Sequence, residues 1–436
     1  TSCQIGKLIR CKSETDGIVR MKEDDVSIRQ LSMQTMAVLG SSFHPPAAGF
    51  AQGGFFMEGG DCLTQHGFYM ERAIALAKKG MGFVSPNPLV GAVVVKNGRI
   101  LGEGYHARYG DLHAERNALR ACTEDPAGAT LYVTLEPCCH YGKQPPCTDA
   151  VIAAGISTVY VGSRDPNPLV AGKGIAKLRE AGITVISDFM REACDALNPI
   201  FFHYITTGTP YVIGKYAMTA DGKIACCGGA SKWVTGVAAR EQVQQTRKRV
   251  SAILVGIGTV LADDPLLTCR CEQPSHPVRV VCDTHLRLPL SSQLVRTARK
   301  VPVVVLTCCK DEEKQQALQQ AGVTVLQTES EPETGRVSLP DGLRKLVAQK
   351  IDSVLLEGGA ALLTTALQQH CIQELQVYLA PKLFGGDGIS PTASMGITDP
   401  AQAILWERPT VQQLGDDVLL TYLHRREEAM SCSPEL

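Results

Sequence analysis

Apolar positions in this chain repeat with two periods, and the period switches many times between Met70 and Leu379. Met70, Ala73, Ile74 and Ala77 fall at the spacing of one helix face, and Gly80 closes that run. Residues 90–95 form a short apolar run of buried-strand type. Asn97-Gly98 then supplies a two-residue hairpin turn into a second strand over 99–105. Further strands are predicted over 131–135, 158–161 and 184–186, the last two separated by a helix that stops at Gly182. Alternating strands and helices bury both faces of a sheet, so this half reads as a three-layer α/β sandwich.

A turn-rich junction follows at Thr206-Thr207-Gly208-Thr209-Pro210, and the domain boundary is placed there. Strand-like runs then recur at 211–217, 251–255, 278–282, 301–306, 323–326, 353–356 and 375–379, with helical stretches over 237–249 and 312–320. Ala321-Gly322-Val323 echoes Ala181-Gly182-Ile183, which is shared helix-stop and strand-start punctuation rather than a repeat. Residues 1–65 show no sustained period. They mix the charged cluster Lys22-Glu23-Asp24-Asp25 with a Gly- and Pro-rich run, and read as a flexible extension. Met57 and Met70 are candidate later starts. The acidic cluster argues against an organelle transit peptide, which is the alternative to a cytoplasmic location.

Composition narrows the function classes. With 43 Lys and Arg against 44 Asp and Glu, the net charge is −1, which disfavours a nucleic-acid partner. No apolar stretch reaches membrane-span length. The 17 cysteines include the adjacent pairs Cys138-Cys139, Cys226-Cys227 and Cys308-Cys309, and a reduced, intracellular chain is the simpler reading.

The chemistry concentrates in His113-Ala114-Glu115, Pro137-Cys138 and Pro146-Cys147. A His-x-Glu followed by a Pro-Cys and a second Cys is the zinc-deaminase signature, in which the Glu is not a ligand. Imidazole and thiolates suit zinc, and a catalytic site leaves the fourth position to water. A carboxylate two residues from the His can take the water proton and return it to the leaving amine. The helix-like run 114–121 puts His113 at a helix start and Glu115 in the first turn. Pro146 opens another helix, so Cys147 would lie at the favourable end of its dipole. Eight residues, 139–146, separate the two cysteines where the usual nucleotide-deaminase signature has two. Cys139 is read as a bystander, since adjacent residues rarely both reach one tetrahedral ion. In the second half, Gly256-Ile257-Gly258 is weak evidence for a dinucleotide. Glu357-Gly358-Gly359, after an apolar strand, is better placed either to cradle a pyrophosphate or to make an ordinary glycine turn.

The long segment from Thr134 to Cys147 resembles the bifunctional riboflavin-biosynthesis deaminase/reductase family, as do Asn87-Pro88-Leu89-Val90-Gly91-Ala92 and Arg164-Asp165-Pro166-Asn167-Pro168. Downstream, Asp221-Gly222-Lys223-Ile224-Ala225, Ser231-Lys232-Trp233-Val234-Thr235, Gly258-Thr259-Val260-Leu261-Ala262-Asp263-Asp264-Pro265 and Ala380-Pro381-Lys382-Leu383 look like its reductase domain. The resemblance implies an α/β chain. A cytidine-deaminase-like three-layer sandwich over 66–207 precedes a dihydrofolate-reductase-like domain over 210–425 and a tail over 426–436. It also implies zinc on His113, Cys138 and Cys147, with Glu115 catalytic. Asn87, His106, His140 and Lys143 would line the pyrimidine-phosphate pocket. Ala217, Trp233, Thr259 and Asp263 would contact NADPH, together with Gly359, Ala360, Ala361, Leu362, Leu363, Thr364 and Thr365. Lys215, Ser231, Arg247, Leu267, Arg270 and Glu357 would hold the substrate. Unaided by the resemblance, Arg247 reads as a solvated helix face.

The implied activity is hydrolytic deamination of 2,5-diamino-6-ribosylamino-4(3H)-pyrimidinone 5′-phosphate, followed by NADPH-dependent reduction of its ribosyl group. The expected partners are therefore small molecules, with a homo-oligomer compatible. The rivals are a zinc deaminase of another nucleotide with an inactive second half, and a non-catalytic zinc-stabilised protein using Cys139 or His140 as fourth ligand.

Overall fold

The structure, a computed structural model, describes residues 62–142, 144–168 and 170–425. Lys143 and most of the extension and tail read from the sequence lie outside the described residues.

The first sheet has five strands: β1 (Gly91–Lys96), β2 (Arg99–Tyr105), β3 (Thr130–Leu135), β4 (Thr158–Ser163) and β5 (Thr184–Ile186), in the order β2-β1-β3-β4-β5. β1 is antiparallel to both neighbours, and β3, β4 and β5 are parallel. Asn97 and Gly98 both take positive φ, as a two-residue hairpin turn requires, and β2 pairs back from Lys96↔Arg99. Alternation along β1 sorts its side chains into two cores. Val93 and Val95 pack with Met70, Ala73 and Leu76 of the helix Cys62–Ala77, whereas Ala92 and Val94 pack with Ala114, Ala118, Val151 and Leu178 on the other face. This is the three-layer arrangement the pattern predicts. The chain then passes through the helix Pro199–Thr207, which ends at Gly208 with φ +68.

The second sheet has nine strands. They are β6 (Tyr211–Thr219), β7 (Ala252–Gly256), β8 (Val278–Cys282), β9 (Val303–Thr307), β10 (Val323–Gln327), β11 (Ser353–Glu357), β12 (Glu374–Ala380), β13 (Thr410–Leu414) and β14 (Asp417–Leu423). Their order is β10-β9-β8-β7-β11-β6-β12-β14-β13, parallel except where β14 and β13 join antiparallel. Odd and even residues again feed separate cores. Ile213, Ile253, Val281 and Leu355 face one way, and Val212, Leu254, Val280 and Leu356 the other. The helices Val237–Arg249 and Glu312–Gln320 have the bounds the periodicity predicts.

Two differences from the expected elements have physical causes. β9 begins at Val303 rather than 301, because Pro302 has no N–H to give a ladder. β13 and β14 were not predicted. β13 is an edge strand with an almost wholly exposed Thr-Val-Gln-Gln-Leu sequence, and so carries no apolar alternation. The two halves also touch through side chains: Ser85 Oγ donates to Asp352 Oδ2 at 2.6 Å and lies 2.8 Å from Ser251 Oγ.

Candidate metal centre and dinucleotide site

The helix Ala114–Arg120 carries the first part of the site. His113 is its extended N-cap and Glu115 lies in its first turn. The helix packs close on β2 because Gly102 and Gly104 have no side chains. A Cβ on Gly104 would lie 2.3 Å from Ala118 N, and one on Gly102 would lie 2.2 Å from Ala118 O. The end of β3 delivers Cys138, and Cys147 is the first residue of the helix Cys147–Ala153. Glu136 fixes the intervening turn. Its buried carboxylate accepts the N–H groups of Gly172 at 3.0 Å and Ile175 at 3.1 Å, tying the Pro137-Cys138 turn to the start of the helix Lys173–Glu180.

These elements bring His113, Cys138 and Cys147 together with their candidate ligand atoms all within 4.8 Å of one another. His113 Nδ1 is 3.5 Å from Cys138 Sγ and 3.4 Å from Cys147 Sγ. Zinc bonds of about 2.0 Å to nitrogen and 2.3 Å to sulfur, at a tetrahedral angle, separate N from S by about 3.5 Å. The donor set and its edges therefore fit one zinc ion. Among the described residues no fourth His, Cys, Asp or Glu joins the group, so the set is an open one. Hydrogen bonds from the Cys147 thiol and from His113 hold the Cys138 sulfur well below the ordinary thiol range. The hydrogen bond with Cys138, and then burial, push Cys147 up.

Glu115 is buried beside this group. Burial, and then the Cys138 charge, push its carboxyl up to about 7. A cavity of about 230 Å³ opens onto His113, Glu115 and Cys138, and is also walled by Asn87, His106 and His140. His106 Nδ1 faces the Leu112 carbonyl at 3.2 Å and so carries the proton, which leaves Nε2 to accept from Asn87 Nδ2 at 3.1 Å. Burial holds this imidazole below its ordinary range, consistent with the neutral form. The Nδ1 atom of His140 is buried with no protein partner. Asp165, Asn167 and Phe201 also line the cavity; the first two lie in a segment that carries the resemblance, but none of the three was given a site role from the sequence. Asp165 and Asn167 sit in a Pro-rich loop, where periodicity gives no signal, and Phe201 comes from the interdomain helix. Burial pushes the Asp165 carboxyl up to about 6.

The second site is assembled over a wider span. Lys215 on β6 pairs in register with Glu357 at the end of β11. Arg247, on the helix Val237–Arg249, holds Glu357 through two hydrogen bonds, Nε to Oε1 at 3.1 Å and Nη2 to Oε2 at 2.5 Å, and donates to the Thr268 carbonyl at 3.0 Å. The arginine is therefore not a solvated helix face: the side chains of this pair are only 13% and 12% exposed. Burial alone would raise the Glu357 carboxyl, but Arg247 and Lys215 hold it below the ordinary range. Burial pushes the Lys215 ammonium down, with Glu357 opposing, and its Nζ lies 5.5 Å from the Tyr378 ring centroid.

Gly358 and Gly359, with φ +90 and +80, lead from β11 into the helix Ala360–Gln368, so Ala360, Ala361 and Leu362 form its first turn. Leu363 and Thr364 are buried below them, and Thr365 bonds back to the Ala361 carbonyl. A Cβ on Gly358 would lie 3.1 Å from Thr259 Oγ1, so the glycine keeps backbone and Thr259 in close approach. Bare amides at a helix start suit a dinucleotide phosphate, and this cradle fits NADPH. Trp233 is 64% exposed, with the Arg240 guanidinium 4.6 Å from its ring centroid. Ser231 is exposed, Ala217 half-buried on β6, and Asp263 faces Lys232 at 4.0 Å. Leu267 is buried with φ +51, and Arg270 is exposed on the same loop.

Residues 63–163 match the cytidine and deoxycytidylate deaminase zinc-binding region, and residues 210–420 match the RibD C-terminal domain. The riboflavin biosynthesis protein RibD of Actinobacillus pleuropneumoniae is 52% identical over 356 residues, covering 81% of this chain and 94% of that protein. The chain belongs to the RibD family. The Escherichia coli member is 38% identical over 372 residues, covering 82% of this chain and 98% of its own. Among solved structures, Acinetobacter baumannii RibD superposes with a TM-score of 0.75 at 38% identity, covering 84% of this chain and all of that one. The diaminohydroxyphosphoribosylaminopyrimidine deaminase/5-amino-6-(5-phosphoribosylamino)uracil reductase of Thermotoga maritima does so at 0.75 and 39%, covering 83% and 99%. The fold is thus a cytidine-deaminase-like domain followed by the family's reductase domain.

Proposed function

We propose that the cavity beside His113, Cys138 and Cys147 removes the amino group from 2,5-diamino-6-ribosylamino-4(3H)-pyrimidinone 5′-phosphate, and that the site around Lys215, Arg247 and Glu357 then reduces the ribosyl group. The chain is a bifunctional deaminase and reductase of riboflavin biosynthesis, with zinc and NADPH as cofactors. The observation that carries the assignment of residues is the open three-donor set with buried Glu115 beside it in one cavity. An open set also speaks against a closed, purely structural zinc, for which Cys139 or His140 would have to join it.

Zinc supplies a Lewis acid that makes water nucleophilic at neutral pH, and NADPH supplies the hydride. The protein's own groups do the rest. His113 and the two cysteines hold the metal, and Glu115 takes the proton from water and returns it to the departing ammonia. Neutral His106, fixed by Leu112 and Asn87, and the unpartnered Nδ1 of His140 present polar edges to the pyrimidine. Lys143 is read as the point-charge partner of the phosphate. In the second site, Gly359 and the first turn of the helix after it receive the cofactor, with Thr259, Ala217, Trp233 and Asp263 around it. Lys215 polarises the opened sugar, while Arg247 and Arg270 attract its phosphate, with Ser231 and Leu267 completing the pocket. Glu357 keeps the Arg247 fork in one orientation.

The ligands are read as small molecules, since a net charge of −1 gives no indication of a basic face and disfavours nucleic acid. No helix among the described residues is long and apolar enough to cross a membrane. A cytoplasmic location is the reading that suits an NADPH-dependent biosynthetic enzyme.

NADPH oxidation with the diamino substrate tests the whole scheme. Wild type should oxidise NADPH, Glu115→Gln should not, and supplying the already deaminated substrate should restore oxidation by the mutant. Failure of both enzymes with both substrates would sink the reductase assignment.

A further inference from the structure

The loop that presents Arg270 carries a cysteine on each side of it. Cys269 Sγ and Cys271 Sγ are 3.1 Å apart. Cys269 is buried at 2% exposure, while Cys271 is half-buried and so the easier of the two to reach. Both anchors of this segment are the same residue of the helix Val237–Arg249: Cys269 Sγ donates to the Gln244 carbonyl at 3.4 Å, and Arg270 N–H donates to Gln244 Oε1 at 2.9 Å. Gln244 lies three positions before Arg247 on that helix. Neither thiol belongs to the zinc group.

We infer that Cys269 and Cys271 are an oxidisable dithiol, whose closure by hydrogen peroxide turns down the reductase half. The inference rests on the reading of Arg270 as a phosphate-binding residue. The Cys271 sulfur attacks the peroxide, forming an S–O bond as the O–O bond breaks, and one water leaves. The Cys269 sulfur then attacks the Cys271 sulfur, forming the S–S bond and expelling the hydroxyl with the thiol proton as a second water. Two thiols are oxidised by two electrons, and the peroxide is reduced. A disulfide needs the sulfurs about 1 Å closer than they stand. The segment that must take up this movement contains Arg270 alone between the two cysteines, and closure also removes the S–H that bonds to Gln244. Arg270 therefore leaves its reduced-state position, and the phosphate loses a charged partner.

The test uses full-length, zinc-loaded enzyme treated with hydrogen peroxide. Mass spectrometry follows the peptide spanning 269–271, and NADPH oxidation is measured with already deaminated substrate, which takes the zinc thiolates out of the readout. The expected result is loss of the mass of two hydrogens from that peptide. It should be accompanied by a rise in KM of about tenfold, the scale of one charged hydrogen bond, with both changes reversed by dithiothreitol. Cys271→Ser should keep the untreated rate and ignore peroxide. The proposal is overturned if no such disulfide forms, if it forms with KM unchanged, or if Cys271→Ser is inactivated in parallel with wild type. Arg270→Met in the reduced enzyme checks the underlying reading by itself. A raised KM there, with no disulfide in wild type, removes the dithiol and leaves Arg270 standing. An unchanged KM removes the role of Arg270 and this proposal with it.

Discussion

The two sites are built by opposite strategies. The candidate metal centre draws its three donors and the carboxylate beside them from residues 113–147, at helix starts and a strand end of one small sheet. The proposed reductase site draws on β6, β11, the long helix before β7 and the loop after residue 263, so its parts are spread from Lys215 to Thr365. Coordination chemistry specifies side-chain types, and so leaves a readable trace in a short stretch of sequence. Dinucleotide binding specifies backbone shape and empty space, which glycines such as Gly358 and Gly359 of the proposed site would provide without naming their purpose.

That contrast predicts independent failure. Removing zinc with a chelator should abolish deamination while NADPH oxidation with deaminated substrate continues. Parallel loss of both activities would show that the halves are not separable. Glu115→Gln should lower deamination by at least about a hundredfold, the scale of a lost general acid–base, with zinc content by metal analysis unchanged. Loss of zinc from this variant would instead make Glu115 a structural member of the site.

On the other side, the Arg247–Glu357 pair is buried, so Glu357→Gln leaves a cation without its partner. The expected cost is about 3 kcal/mol of stability, read by denaturant unfolding of the reductase half. Deamination should be retained under native conditions. If stability is unchanged, the pair is solvated in solution. The smallest effect should come from Gly358→Ala. Positive φ and the approach to Thr259 oppose a side chain there, at a cost of about 1–3 kcal/mol. NADPH affinity measured by titration should fall about tenfold, with deamination untouched. An unchanged affinity would move the cofactor away from this turn.

Much of the architecture was legible from periodicity. The hairpin at Asn97-Gly98 and the stops at Gly182 and Gly322 are all positive-φ positions where the sequence placed Gly or Asn. What escaped was non-local. Glu136 looks like one more residue before a proline until its carboxylate is seen at the start of a helix nearly forty residues later. The exposed edge β13 has no apolar stripe to read. Ser85, Ser251 and Asp352, which join the halves, are single polar residues in unrelated contexts.

The sequence by itself determined the alternating α/β elements, the candidate zinc donor set and the carboxylate beside it, because periodicity and ligand type are properties of local stretches. Only the tertiary structure decided that Arg247 meets Glu357, that Lys215 lies beside them, and that burial holds His106 below its ordinary range while Asn87 and Leu112 fix its ring. Burial and partner choice depend on which distant segments pack together. The same arginine is a solvated cation on an isolated helix and half of a buried ion pair in the folded sheet.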